Sequence, residues 1–310
     1  MTKLRILYIY DFDGWAIHNV GKDWAKLLDK THDFYIVQAG EHFRHDPKSY
    51  DIILWGYSFL ASSRTKSAMN AIQRPFRWAQ WNLFSLNNLY TVVHDPCEIF
   101  DQIPGWRSVA PRFSRLQKFS KLAVISNEML RILSEGRFEV SKVNTLSHIP
   151  LRNGGEIVKE ELKIFTRANP HPRKNLNLFY DIANEIAGRA AGKCEAWVGG
   201  KLLAEHDYIN AMDKYNCYIC TSWQEGGPLP LMDAMRRGCV ALTTRVGQTD
   251  EIIEDGANGF FCMSKEDFLE KIDRLYSDPE LLYKMRLNAL KTAATDKSEL
   301  IRKQLEAFLQ

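Results

Sequence analysis

The sequence predicts an α/β protein built from two doubly wound parallel sheets, and three observations favour this fold class. Short apolar runs of the kind that form buried strands alternate with amphipathic helical segments along the whole chain. The alternation restarts after LRNGGEIVKEE, a polar, glycine-containing stretch that is typical of a linker between domains. The length of 310 residues is sufficient for about two domains of ordinary size.

The first half begins with LRILYIY, a continuous apolar run that predicts a buried strand. The following segment, VGKDWAKLLDK, carries Val20, Trp24 and Leu28 at helical spacing. Further strands are predicted in HDFYIVQ, YDIILWG and NLYTVVHD. A basic helix is predicted at about 111–120, and KLAVISNEMLRIL predicts a strand with a helix behind it. KVNTLSHIP closes this half.

In the second half, predicted strands again alternate with predicted helices. Strands are predicted in ELKIFTRA, CEAWVGG, NCYICTS, CVALTT and GFFCM. Helices are predicted in NLNLFYDIANEIAGRAAG, AEHDYINAMDKY and PLPLMDAMRR, and two more at about 264–277 and 279–295. Gly238 stands where a left-handed residue would end the third of these helices. Alternating strands and helices predict parallel sheets, whose ligands bind at the carboxyl ends of the strands.

Composition disfavours several classes of protein. No apolar run approaches the ~18–20 residues that span a bilayer, and the N-terminus lacks the cleavage site of a signal peptide, so we expect a cytoplasmic protein. The six cysteines are scattered through apolar segments. Cys217 and Cys220 lie in a strand-like run without a second Cys/His pair, which disfavours a metal or redox site. No G-x-G-x-x-G follows the first strand of either half, which disfavours a dinucleotide-dependent oxidoreductase.

The excess of basic over acidic residues lies in the first half of the sequence. No acidic residue occurs between Asp51 and Asp95, and residues 107–121 hold five basic residues and no acidic one. The first span combines cations with aromatic residues: Arg64, Lys66, Arg74, Arg77, Trp78, Trp81 and Phe84. Such a face favours peripheral contact with an anionic membrane surface. Nucleic acid or another polyanion is a less favoured partner, and a solvated face over an aromatic core is the structural alternative.

The most informative stretch is TSWQEGGPLPLMDAMRRGCVALTTRVGQTDEIIEDGANGFF, between Thr221 and Phe261. It places Glu225 before a Gly-Gly-Pro turn and Asp233 inside the helix that the turn begins. The stretch resembles the C-terminal signature of retaining glycosyltransferases of the family-four type (group 1 glycosyltransferases). Their pattern is E-G-x-P-x-x-x-x-E-A-M-A-x-G, a hydrophobic strand, then V-G-G-x-x-E-I-I-x-D-G-x-N-G. Asp233 replaces the second Glu of that pattern, and Gln248 replaces its second Gly.

The resemblance implies the GT-B fold, in which two Rossmann-like domains face each other across a cleft. An N-terminal acceptor-side domain would comprise 1–152, a nucleotide-sugar-binding domain 153–295, and a last helix in 296–310 would cross back. The implied activity is transfer of a hexose, with retention, from a UDP- or GDP-linked donor to a glycan, lipid-linked or cell-surface acceptor. No cofactor and no metal is expected, since no D-x-D motif lies in a suitable place.

Moving a sugar off a nucleotide diphosphate requires that the growing charge of the leaving group be stabilised. Cations and a helix N-terminus meet this need. The resemblance assigns Arg167, at the end of ELKIFTRA, and Lys174, seven residues later, to the diphosphate, and Arg173 is the rival for the role of Lys174. Backbone N–H groups of the turn would point at the same diphosphate, because the first amides of a helix lack partners. The turn residues are Gly226, Gly227, Pro228 and Leu229.

Carboxylates suit the binding of sugar hydroxyls. The resemblance implies that Glu225 binds the transferred hexose and that Asp233, one methylene shorter than the usual Glu, binds the ribose. It places His94, in VVHDP, near the sugar and the phosphate. Gly14 would bring a backbone amide to the donor, although its loop, DFDGWAIHN, has one glycine where the family has a pair. Because this loop has a single glycine and Asp233 replaces the usual Glu, the alternative that the chain is a non-catalytic nucleotide-sugar-binding protein stays open.

Overall fold

A computed structural model describes residues 3–11, 13, 16–57, 88–101, 104–145, 147, 149–188, 193–198 and 203–310. The chain forms two compact units. The first contains Met1–Phe100, Ala110–Leu146 and Lys297–Gln310, and the second contains Asp101–Val109 and Ser147–Asp296. Each unit holds one parallel sheet with helices, which confirms the predicted α/β class.

The strands fall on the predicted apolar runs of the sequence, apart from the short strand VSK, which was not predicted. Those of the first unit are β1 (Leu4–Tyr10), β2 (His32–Gln38), β3 (Ile52–Trp55), β4 (Leu89–Val93), β5 (Lys121–Val124) and β6 (Val140–Lys142). Those of the second are β7 (Lys163–Ala168), β8 (Lys193–Val198), β9 (Cys217–Cys220), β10 (Val240–Thr243) and β11 (Gly259–Phe261).

The helices lie between the strands and at the end of the chain. The first half contains α1 (Ala16–Leu27) and α2 (Asn127–Glu135). The second contains α3 (Leu176–Gly188), α4 (Glu205–Met212), α5 (Leu229–Arg236), α6 (Thr249–Ile252), α7 (Lys265–Ser277), α8 (Pro279–Ala293) and α9 (Ser298–Leu309). Gly238 has a φ of +76°, as its predicted place after α5 requires.

The first sheet has the strand order β2-β1-β3-β4-β5-β6. Ile6 and Tyr8 of β1 face the core that also contains residues of α1 and α9, whereas Leu7, between them, is fully buried on the other face. Burial on both faces explains why β1 is a continuous apolar run in the sequence. Ile301 and Phe308 show that α9 completes this core.

The second sheet has the order β11-β10-β9-β7-β8, and its described pairs are parallel. As in the first sheet, neighbouring residues of one strand pack on opposite faces of the sheet, in two different cores. Ile164 packs with residues of α3 and α7, whereas Phe165 packs with residues of α4 and α5. Cys217 and Cys220 belong to different cores, so they lie on opposite faces of the sheet, as residues three apart in a strand do.

Two details differ from the expectations. The predicted basic helix at 111–120 is a single 3₁₀ turn, Phe113–Arg115; like charges three residues apart would repel one another along a helix here. The segment Asp101–Val109 belongs to the second unit, although it lies within the first half of the sequence. The predicted basic and aromatic surface at 64–84 lies outside the described residues.

No helix in the described part of the chain is both long and apolar enough to cross a membrane. Within the same ranges, no group of three or more His, Cys, Asp or Glu side chains is arranged to hold a metal ion.

Candidate functional site

A pocket lies at the carboxyl edge of β7 and β9 in the second unit. Its volume is about 270 Å³ when the space open to solvent is included. Three groups of residues line it: the end of β7, the end of β9 with the loop after it, and the turn before α5. They are Thr166, Arg167, Ala168, Lys174, Tyr218, Cys220, Thr221, Ser222, Glu225, Pro228 and Pro230. The pocket therefore brings together Arg167, Lys174 and Glu225, which the sequence predicts as site residues.

Glu225 is a buried carboxylate with charged partners. It is 5% exposed, and its Oε1 contacts the ammonium of Lys174 and accepts a hydrogen bond from Ser222 at 2.7 Å. Arg173 Nη1 lies 3.6 Å from Oε2. Burial alone would raise the pKa of Glu225, but Lys174, Arg173 and the hydrogen bonds hold it below its ordinary value. Glu225 is therefore ionised at neutral pH.

The two rival cations both face Glu225. They lie in the 3₁₀ turn Pro172–Lys174, which ends at Asn175. Asn175 has a φ of +48°, a left-handed conformation that Asn tolerates better than most residues. The resembled family has Gly at this place, so the substitution keeps the turn. Lys174 lines the pocket and contacts Glu225 more closely than Arg173 does.

The turn before α5 packs tightly against Gly247. A Cβ atom on Gly247 would lie 2.1 Å from the Gly226 carbonyl oxygen, so any side chain there would displace the turn. The Gln248 amide donates to the same Gly226 oxygen at 2.9 Å. The Leu229 amide donates to the Gly227 carbonyl at 2.8 Å, and Pro228 has no N–H. Of the four turn residues expected to face a diphosphate, Gly226 and Gly227 are therefore the two whose backbone amides we still expect to do so.

Asp233 lies on α5 and is 5% exposed. Ser147 donates to its Oδ1 at 2.6 Å, and the Tyr208 hydroxyl donates to its Oδ2 at 2.8 Å. Both carboxylate oxygens are thus engaged within the second unit. Asp233 is absent from the pocket lining, whereas Arg167 is present.

Arg167 is held by two tyrosines at the end of β7. Its guanidinium carbon lies 3.9 Å from the centre of the Tyr208 ring. The Tyr218 hydroxyl donates to the Arg167 carbonyl at 3.2 Å. The charge of Arg167 also interacts with the Tyr208 hydroxyl, so the ring and its hydroxyl together restrict the guanidinium.

His94 lies in the first unit, after β4, and is 7% exposed. Its backbone amide donates to Glu98 at 2.6 Å, and its ring faces Trp24 with 6.4 Å between centroids. Nε2 is buried and has no hydrogen-bond partner among the residues that the structure describes. Burial lowers the pKa of His94 to about 3, so the ring is neutral and cannot supply a positive charge to a phosphate. Gly14 lies outside the described residues.

Three supporting residues were not predicted from the sequence. Tyr208 and Ser147 bind Asp233, and Trp106 donates to the carbonyl of Trp223, two residues before Glu225. Tyr208 has the local pattern of an ordinary core residue on an amphipathic helix. Ser147 and Trp106 carry no local signal, because their partners lie far away in the sequence.

A sequence match to a known family lies within the second unit. Residues 197–292 match the family model described as glycosyl transferases group 1. A curated relative, the sucrose synthase of Denitrovibrio acetiphilus, is 27% identical over 146 residues, which cover 44% of this chain and 18% of that protein.

The fold is similar to that of solved structures along nearly the whole chain. Anabaena HepE in complex with UDP and glucose is 12% identical, with a TM-score of 0.68 over 99% of each chain. A mutant of S. aureus TarM in complex with fondaparinux, α-GlcNAc-glycerol and UDP is 16% identical, with a TM-score of 0.62. That match covers 84% of this chain and 55% of TarM, so the chain spans about half of TarM. These likenesses confirm the GT-B fold class.

Proposed function

We propose that this chain is a glycosyltransferase that moves a hexose from a nucleoside diphosphate sugar to an acceptor hydroxyl. The observation that carries the proposal is the pocket shared by Arg167, Lys174 and Glu225, in the unit that matches the group 1 family. Two cations and a buried carboxylate around one opening suit a ligand with a charged diphosphate and a neutral sugar. UDP is the first candidate nucleotide, since the HepE and TarM structures contain it; GDP is the alternative.

Each residue of the pocket has a task in this proposal. Arg167 and Lys174 stabilise the diphosphate, with the amides of Gly226 and Gly227 as further donors. Glu225 accepts hydrogen bonds from hexose hydroxyls. Because Lys174 already contacts Glu225, its ammonium is ordered before the donor arrives. Charges that are oriented in advance need no reorganisation when the leaving group develops its charge.

The proposed reaction proceeds with retention by a front-face displacement. The bond between the anomeric carbon and the leaving phosphate oxygen breaks, and a bond to the acceptor oxygen forms on the same face. The acceptor proton passes to the departing phosphate oxygen, so the leaving group acts as the base. Arg167 and Lys174 supply positive charge beside that oxygen, which supports a metal-independent reaction.

For the acceptor, we propose a glycan or lipid-linked hydroxyl, presented to a cytoplasmic enzyme at an anionic membrane face. The support is the basic composition of the first half of the sequence. Asp233 as the ribose ligand and His94 as a neutral hydrogen-bonding group near the sugar complete the proposal. Sedimentation with anionic vesicles tests the membrane contact, whereas acceptor binding that weakens steeply with salt would favour a polyanion such as nucleic acid.

Donor binding and turnover test the central proposal. Thermal stabilisation by a panel of UDP- and GDP-sugars identifies the donor, since a ligand at a hundred times its Kd adds about 2.7 kcal/mol to folding stability. The identified donor should then be hydrolysed slowly without acceptor, and Glu225→Ala should abolish the release of nucleotide. Glu254→Ala, at an exposed position of the same unit, is the matched control.

A different outcome of the hydrolysis experiment would indicate a binding protein instead of an enzyme. If wild type and Glu225→Ala bound the donor and released nucleotide at the same slow rate, the chain would be a non-catalytic nucleotide-sugar-binding protein. If no nucleotide sugar stabilised the fold, neither function would stand.

A further inference from the structure

A series of contacts connects Asp233 to the pocket through Tyr208. The Tyr208 hydroxyl donates to Asp233 Oδ2 at 2.8 Å, and the Arg167 guanidinium carbon lies 3.9 Å from the centre of the same tyrosine ring. Ser147 donates to the second oxygen of Asp233 at 2.6 Å. The assembly reaches the pocket at Arg167, which lines it.

The inner part of this assembly is rigid because it is buried and hydrogen-bonded. Asp233 is 5% exposed and Tyr208 is 7% exposed. Burial, followed by the nearby Asp233 carboxylate, raises the pKa of Tyr208 well above its ordinary value, so the phenol keeps its proton and donates. A hydrogen bond from a neutral donor to a carboxylate is among the stronger kinds. It fixes the tip of the ring, while α4 fixes its base.

A fixed aromatic face restricts the arginine above it. The attraction between a guanidinium and a ring favours one arrangement of a side chain that otherwise samples many rotamers. The guanidinium also interacts with the Tyr208 hydroxyl, and because it carries five N–H donors it can bind phosphate oxygens at the same time. Without the ring, Arg167 would have to be ordered at the expense of ligand affinity.

We propose that Tyr208 is a positioning residue that holds Arg167 toward the terminal phosphate of the donor nucleotide, and that Asp233 acts through it. The inference rests on the proposed function, since a diphosphate ligand gives Arg167 its task. It assigns Asp233 a role within the protein that is separate from ribose binding. The proposal predicts that a change at Tyr208 weakens the binding of the second phosphate of UDP and leaves the binding of the rest of the nucleotide unchanged.

The test compares UDP with UMP, titrated calorimetrically into the full chain. Wild type should bind UDP more tightly than UMP. Tyr208→Leu, which removes the ring, should weaken UDP binding about tenfold and UMP binding by less than about twofold. Tyr208→Phe, which keeps the ring and loses only the hydroxyl, should retain UDP affinity within about threefold.

The ratio of the two affinities separates positioning from a loss of structure. A smaller folded fraction lowers both apparent affinities by the same factor, so it leaves the ratio unchanged. A Tyr208→Leu variant with the wild-type ratio would overturn the inference and leave the proposed function intact. A wild type that binds neither nucleotide would overturn both.

A double-mutant cycle provides a second route if Tyr208→Leu does not fold. Tyr208→Phe should weaken UDP binding about two- to threefold in the wild-type background and have no effect when combined with Arg167→Ala. Equal effects of Tyr208→Phe in the two backgrounds would show that Tyr208 does not act through Arg167.

Discussion

The indole nitrogen of Trp106 donates a hydrogen bond to the carbonyl oxygen of Trp223 at 2.8 Å, across 117 residues of sequence. Gln224, the next residue, donates from its side chain to the Asp101 carbonyl at 2.8 Å. The Trp223 amide donates in turn to the Arg173 carbonyl at 2.7 Å. The loop that carries Glu225 is therefore held from two sides, by the segment Asp101–Val109 and by the turn that bears the cations.

Substitution of Trp106 tests the first of these supports. Trp106 is 1% exposed. Trp106→Phe should lower the free energy of unfolding by about 1–3 kcal/mol, because it leaves the Trp223 carbonyl without its donor and removes some packing. Trp106→Ala should cost about 3–5 kcal/mol through the cavity it creates. Chemical denaturation measures both.

The same variants should also weaken UDP binding, since the loop before Glu225 loses its support. Phe179→Leu, a change of a core residue on α3 in the same unit, is the matched control: it should lower stability and leave UDP affinity unchanged. Equal losses of UDP affinity in Trp106→Phe and Phe179→Leu would contradict a specific role for Trp106.

Substitution of Gly247 tests the close approach of two loops. Gly247→Ala would bring a Cβ atom to 2.1 Å from the Gly226 carbonyl oxygen and 2.5 Å from that of Glu225. Since both are backbone atoms, the turn before α5 must move. We expect a loss of at least about 2 kcal/mol in stability and about tenfold in UDP affinity, measured by melting and calorimetry.

Gly256 offers a matched control for this variant. It also has a positive φ, +79°, but a Cβ atom there would meet only the Phe260 ring, at 3.8 Å. Gly256→Ala should therefore cost about 1–2 kcal/mol from backbone strain and leave UDP affinity unchanged. Similar UDP affinities for the two alanine variants would show that displacement of the turn is unimportant.

Removal of the Lys174 ammonium tests the charge balance of the buried carboxylate. Lys174→Met should lower the free energy of unfolding at pH 7 by about 3–5 kcal/mol, because Glu225 loses its closest cation. The loss should be smaller in Lys174→Met/Glu225→Gln, which removes the buried negative charge as well. Denaturation of the single and double variants gives the coupling.

The pH dependence of this effect has a definite sign. In wild type the pKa of Glu225 is lowered, so its stabilising contribution is present above the ordinary carboxyl pKa and is lost as the pH falls through the folded value. In Lys174→Met, burial should raise the pKa instead, so the cost of the substitution should shrink as the pH falls from 7 to 5. A cost that did not change with pH would indicate lost packing rather than an isolated charge.

Buried histidines should make the first unit sensitive to acid. His42 is 3% exposed, and burial, together with His45, lowers the pKa of His42 to about 4. Its unfolded form has a pKa of about 6.5 and binds the proton first. The contribution of His42 is therefore complete above about pH 6.5 and falls by about 3 kcal/mol as the pH decreases to about 4.

His42→Gln should flatten the pH dependence of stability between these limits, because Gln does not titrate. Parallel pH profiles for wild type and His42→Gln would show that His42 does not carry the acid sensitivity.

The sequence predicts the sheets well because their signals are local. β1 and β9 are continuous apolar runs. The helix α5 begins next to Pro228 and ends just before Gly238. The membership of Asp101–Val109 in the second unit had no such signal. It depends on hydrogen bonds such as Trp106 to Trp223, which join residues far apart in the chain.

The residues of the candidate site also differ in whether a local sequence signal predicts them. Arg167, Lys174 and Glu225 are predicted from motif positions, and the left-handed Asn175 is compatible with the glycine that the motif has there. Tyr208 could not be predicted as a partner of Arg167. A tyrosine on the apolar stripe of a helix is usually a core residue, and only the fold shows which side chain lies against its ring.

The position of α9 has a consequence for biosynthesis. A nascent chain whose ribosome has released residues up to 296 already holds every described strand of both sheets, yet the first core still lacks Ile301, Leu305 and Phe308. The second unit can mature at that stage, while the first must wait for α9 to emerge. A translational pause before α9 emerges should therefore prolong exposure of the first unit's apolar strands to chaperones.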